Sequence, residues 1–151
     1  MNNLFPTEEI TQAVEPEEPV LNEIRFGRSW RFDFEKGDFV MTPTGKVIES
    51  KDVEAWLEWC QKALRTIRYR FVVYSRNYGQ EFEDLIGRGF SHQAQESEIK
   101  RIATECLMVD LRTAAVENFI FEWKEDQCFF SCMVSNVRGE TGIINGSVVS
   151  I

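Results

Sequence analysis

The side chains of this 151-residue chain that could do chemistry are four cysteines, one histidine and 25 carboxylates. Cys128 and Cys132 stand four apart on a run that reads as a strand. There they share a face but lie about 13 Å apart at ~3.3 Å per residue, too far for a disulfide, whose Cα atoms sit within ~7 Å. The spacing is no zinc pattern, and His92 alone could add a nitrogen ligand. Cys60 and Cys106 fall on the apolar faces of predicted helices. All four read as buried, reduced thiols, with no metal. His92 lies in a polar run, His92–Gln93–Ala94–Gln95, which reads as a solvated loop, and no serine stands in a Gly-x-Ser-x-Gly elbow. Glycoside hydrolysis needs two carboxylates ~5–10 Å apart across a cleft, one of them held protonated. Glu81, Glu83 and Asp84 share one short helix, where a solvated face is the default. Gly87–Arg88–Gly89 lacks the third glycine and the strand–turn–helix setting of a nucleotide fingerprint. The expectation is no catalytic residue and no cofactor.

The elements that must position these groups follow from hydrophobic period. Residues 28–48 read as a strand meander. Trp30, Phe32 and Phe34 alternate on one face, Lys36–Gly37–Asp38 turns, and Pro43–Thr44–Gly45 breaks the next strand. Ser50 reads as the N-cap of a helix over 51–65 with a stripe of Val53, Trp56, Leu57, Cys60 and Leu64 that could extend to Ile67. Arg65, Arg68 and Arg70 cluster around its end, where cations suit the helix dipole. Thr66–Ser75 is rich in β-branched and aromatic residues and reads as a strand or extended segment. A short helix is expected at about 79–86, closed by Gly87 in the left-handed cap. Ser97 then caps a helix over 98–111 with a stripe of Ile99, Ile102, Ala103, Cys106, Leu107 and Leu111. The last third reads as strands. Ala115–Trp123 alternates with Phe119, Phe121 and Trp123 on one face, Glu125–Asp126 turns, and Cys128–Val137 pairs back. Ile143–Ile151 is a last strand or a partner-binding tail. Strands, then helices, then strands make a small α+β domain, with an antiparallel sheet, two or three helices, an N-terminal meander and a C-terminal hairpin.

Charge divides the chain. Its net charge is −8, yet residues 1–21 carry Glu8, Glu9, Glu15, Glu17 and Glu18 with no Lys or Arg, and three of the four prolines. Such a stretch reads as a disordered acidic leader. Residues 22–151 hold all 17 basic side chains, carry a net −3, and read as one domain. The acidic balance argues against general binding to nucleic acid or anionic membrane. No window approaches the ~20 apolar residues of a membrane span. The N-terminus has neither the basic region nor the apolar core of a secretory signal, so synthesis and folding in a cytoplasm are expected.

Two runs are distinctive: Thr66 to Gly87, with Tyr78–Gly79, Glu81 and Leu85–Ile86–Gly87, and Ile99 to Phe119, with Asp110–Leu111–Arg112. They resemble the small baseplate wedge proteins of contractile tails over roughly 28–137. The likeness is nearest to XkdS-like proteins of Bacillus prophages and phage-like elements. It is more distant to the T4-type wedge subunit once labelled lysozyme-like and to the TssE component of type VI secretion. Asp110 stands where the family's Glu-Pro-Arg motif has Glu, and Leu111 where it has Pro. The resemblance implies a structural protein of the virion tail baseplate without enzymatic activity. It would be assembled in a bacterial host cytoplasm, in several copies, between wedge and hub proteins and the first ring of tail sheath, to which its predicted C-terminal strands would offer a sheet edge to extend. Asp110, Arg112, Tyr78, Gly79 and Glu81 are the expected partner-binding residues, with Asp110 and Arg112 divided between fold support and interface. The rival readings are a peptidoglycan hydrolase, to which the lysozyme label carries over no catalytic residue here, and a generic adaptor working through the acidic leader.

Overall fold

The computed structural model describes residues 23–149; the expected leader over 1–21 lies outside them. Four short strands come first: β1 (Arg28–Trp30), β2 (Phe32–Asp33), β3 (Asp38–Phe39) and β4 (Glu49–Lys51). β1 pairs with β4 and β2 with β3, both antiparallel. Backbone bonds from Arg31 to Ile48, Val40 to Arg31 and Ile48 to Val40 stitch the pairs into one nested meander. Helix α1 (Val53–Arg65) follows, then a 3-10 helix at Phe82–Leu85 and helix α2 (His92–Met108). Strands β5 (Thr113–Lys124), β6 (Gln127–Asn136) and β7 (Thr141–Val149) form an antiparallel sheet in the order β5-β6-β7. The architecture is the α+β arrangement that the order of elements predicts.

Both helices pack on one face of this sheet, as the period of their apolar residues requires. α1 buries Trp56, Cys60, Ala63 and Leu64, and α2 buries Ile99, Ile102, Ala103, Cys106 and Leu107. β6 supplies every second residue, Cys128, Phe130, Cys132 and Val134, and β7 supplies Ile144 and Val148. Gly146 lies directly across from Phe130, whose ring folds over it. A Cβ there would stand 2.4 Å from Phe130 Cζ.

Four expectations change. Ser50 is not a cap: it is a buried residue of β4, and Asp52 stands at the helix start without a side-chain cap bond. α2 begins six residues earlier than expected, capped by Ser91, whose Oγ accepts from the Ala94 N–H. The polar run at His92 is thus its first turn, with the imidazole stacked 3.9 Å from Trp123. Leu111 lies past the helix end and is exposed. Thr66–Ser75 is not a strand. It has one isolated bridge, Ile67 with Gln80, and then turns, because no neighbouring strand offers its backbone a ladder. Ile143–Val149 is strand, as one of the two readings had it.

Two outcomes test this packing. Gly146→Val should destabilise the domain by about 1–3 kcal/mol through overpacking against Phe130, read as a lower urea midpoint. The four thiols give a pH signature. Burial pushes Cys60 and Cys106 up to about 12, and Cys128 and Cys132 up to about 11, from an ordinary 9.0. Above pH 9 the unfolded chain loses thiol protons that the native state keeps. Stability should therefore be intact below pH 9 and fall as pH rises through 11–12. A urea midpoint that held constant from pH 8.5 to 11 would contradict this.

Candidate functional site

The residues expected to meet partners fall into two groups. Helix α2 ends at Met108, so Asp110 and Arg112 sit in the turn that leads into β5. Freed from helical geometry, they meet each other. The Arg112 guanidinium gives Asp110 a two-pronged bond, Nε to Oδ1 at 2.8 Å and Nη2 to Oδ2 at 2.7 Å. The Arg112 backbone N–H also donates to Oδ1, at 2.8 Å. The third guanidinium nitrogen donates to the Phe26 carbonyl at 2.7 Å. Their side chains are only 12% and 15% exposed. This clasp holds the chain entering the meander against the start of the main sheet. Phe26 is itself buried edge-on to Trp56, with Arg138 over its ring.

The second group, Tyr78, Gly79 and Glu81, closes the base of a loop. The Gln80 N–H donates to the Thr66 carbonyl and the Arg68 N–H to the Gln80 carbonyl, both at 2.9 Å. Gly79 permits this approach. It sits at φ +102, and a Cβ there would stand 2.7 Å from the Thr66 oxygen, so any larger residue is strained. Tyr78 packs edge-on to Trp59 at 5.7 Å and against Tyr74 at 4.7 Å, and burial raises its hydroxyl pKa. Glu81 lies 3.9 Å from Arg68. The two groups approach through Trp59, which meets Tyr78 on one side and has Arg112 6.0 Å from its ring centroid.

Sequence spacing does not disclose Phe26 as part of the clasp, since its partner is 86 positions away. The other feature is the free edge of β7, among the C-terminal strands expected to offer one. Ile144 and Val148 turn inward, Ile143, Asn145, Ser147 and Val149 turn outward, and the strand contains no charged residue or proline. The Gln61 side chain donates to the Asn145 carbonyl at 2.8 Å. That carbonyl therefore points away from β6, and residues 143 and 147 share its orientation in an antiparallel ladder. An uncharged strand ending a sheet was the available signal.

Among the described residues no three His, Cys, Asp or Glu side chains gather as metal ligands, and no helix is long and apolar enough to cross a membrane. Fold and site define a small α+β structural module whose main sheet ends in an open strand. The chain belongs to the contractile injection system sheath initiator family, whose model matches residues 28–139. It is 31% identical over 117 residues to the phage-like element PBSX protein XkdS of Bacillus subtilis (strain 168), covering 77% of this chain and 79% of that one. It shares a fold with a chain of the cryo-EM structure of the anti-feeding prophage baseplate, 6-fold symmetrised, at 13% identity. That match has a TM-score of 0.51 and covers 83% of this chain and 86% of that one. The protein is a structural component of a contractile injection system, of the XkdS-like kind.

Asp110→Ala should cost about 3 kcal/mol, because it strands a largely buried guanidinium, whereas Leu111→Ala next to it should be near neutral. Thermal melts of the two variants separate these outcomes. Gly79→Ala should lose about 1–3 kcal/mol to backbone strain and the contact with Thr66, and hydrogen exchange at Arg68 and Gln80 should quicken.

Proposed function

We propose that the protein seats the first ring of sheath subunits on the wedge and hub proteins of the baseplate, and does so by lending the edge of β7 to a sheath strand. The observation that carries this is the contrast between the two edges of the main sheet. β5 is interrupted by irregular pairing at Thr113/Ala115 and Glu117/Ile120, with Asn118 at φ 53, and it bears Glu117, Glu122 and Lys124. Bulges and charges are how proteins blunt an edge. β7 pairs with β6 in unbroken register over nine residues and carries neither device. An added strand would gain backbone bonds along 143–147 and specificity from alternate side chains. In the free chain Gln61 occupies one of these edge carbonyls, a small guard that an incoming strand could displace.

Residues 22–151 work as one unit in this reading, supported by a single continuous core that both helices and the main sheet share. Asp110 and Arg112 serve assembly by fixing the meander to the sheet, and Tyr78, Gly79 and Glu81 serve it by fixing the loop they close. The role is non-enzymatic. Arg101 pairs with both Glu98 and Glu105, and its bond holds Glu98 below the usual carboxylate range, opposite to what a general acid needs. Glu83 and Asp84 face solvent.

Ser147→Pro tests the edge. Proline removes an outward N–H while leaving the bonds to β6. The variant should fold with a melting temperature near that of the parent, and should yield baseplates and tubes with at least tenfold fewer seated sheaths by electron microscopy. Normal sheathed, contractile tails from Ser147→Pro would refute the proposal, and Ser147→Thr should behave as the parent.

A further inference from the structure

Solvated loops are usually polar, but the loop closed by Ile67 and Gln80 is not. Its tip is Tyr69-Arg70-Phe71-Val72-Val73-Tyr74. Val72 is fully exposed, Val73 is 85% exposed, Tyr69 is 64% exposed, and Phe71 and Tyr74 are about half exposed. Single exposed apolar residues are ordinary, whereas a contiguous apolar group marks a contact surface. The loop is also held in place. The Tyr74 N–H bonds to the Phe71 carbonyl, and Arg68 Nε bonds to the Arg76 carbonyl. Tyr78 anchors Tyr74, and Gly79 with Gln80 closes the base. A held loop loses little ordering entropy on docking.

Charge identifies the kind of surface it fits. Residues 65–78 contain Arg65, Arg68, Arg70 and Arg76 and no acid, while the rest of 22–151 carries a net −7. Arg65 is engaged with Phe34, and Arg68 with Arg76 and Glu81. Among the described residues the guanidinium groups of Arg70 and Arg76 make no ion pair. An apolar tip flanked by tyrosines and unpaired arginines has the composition of an interface hot spot. An extended polyanion, whether nucleic acid or an anionic bilayer, would also face the acid-rich remainder of the domain and be repelled by it. A compact recess on a protein would meet the loop alone.

We propose that the 69–77 loop is a second docking element, separate from the β7 edge. It inserts Phe71, Val72 and Val73 into an apolar recess on another baseplate protein, and Arg70 and Arg76 pair with carboxylates at the rim of that recess. The inference rests on the protein's place in a baseplate, and the test keeps the two apart.

A photo-cross-linking residue, benzoylphenylalanine, is placed at Val72 in one full-length chain and at Asn145 in another. Each is expressed in a strain that makes whole tails, and purified particles are irradiated and sequenced by mass spectrometry. The Val72 probe should capture a baseplate protein other than this one, at a peptide with apolar residues flanked by Asp or Glu. The paired changes Arg70→Glu with Arg76→Glu should lower incorporation into particles at least tenfold with the melting temperature unchanged, and the paired Lys changes should restore most of it. Capture by Val72 of residues 1–22, of a second copy, of lipid or of nucleic acid would overturn the loop proposal. So would an uncaptured Val72 in particles where Asn145 captures sheath, which leaves the edge proposal standing. Absence of the protein from particles would overturn both.

Discussion

Trp56 is the side chain on which the separate parts of this domain converge. It is completely buried on α1. Its indole N–H donates to Thr113 Oγ1 at 3.0 Å, tying the helix to the first residue of the main sheet, and Phe26 packs edge-on against its ring. A tryptophan buried this deeply usually finds an acceptor for its N–H. Thr113 is therefore positioned by the same contact that positions the helix. One residue earlier, Arg112 carries the constraint outward to the Phe26 carbonyl and to Asp110. Indole, hydroxyl and guanidinium thus bind meander, helix and sheet at a single junction, and the two proposed docking surfaces are set relative to it.

Those surfaces differ in how their backbone is satisfied. In β7 the outward groups of 143–147 face away from the sheet, with Gln61 meeting one carbonyl. The loop over 69–77 has local turns and a closed base instead, and presents side chains. The first suits recognition through main-chain bonds, the second recognition through shape and charge. Both are held by internal bonds before any partner arrives, which limits the entropy that assembly must overcome.

The sequence was legible where burial imposed a period. The stripe of α1, the inward residues of α2, and the alternation of β5 and β6 follow from which side chains must leave water. It was less legible where local preference and tertiary context disagree. Thr66–Ser75 has the composition of a strand but no neighbour to pair with, so it turns. His92–Gln95 shows no apolar period because Ser91 supplies the cap and only Gln95 faces inward. Leu111 fits the α2 stripe by spacing, yet the chain leaves the helix at Met108 so that Asp110 and Arg112 can meet. Asp110, Arg112, Tyr78, Gly79 and Glu81 could be picked out by motif likeness. Their geometry could not, since the clasp spans 86 positions and the loop base depends on a backbone approach that spacing does not encode.

In the proposed role β7 is an unfinished sheet edge that sheath completes. A cryo-EM reconstruction of the intact tail, with main chain traced at the junction of baseplate and sheath, tests this most directly. A strand of the first-ring sheath protein should run beside β7, bonded to the outward backbone groups of residues 143, 145 and 147. A β7 edge left facing solvent, with sheath contacts made elsewhere on the chain, would contradict it.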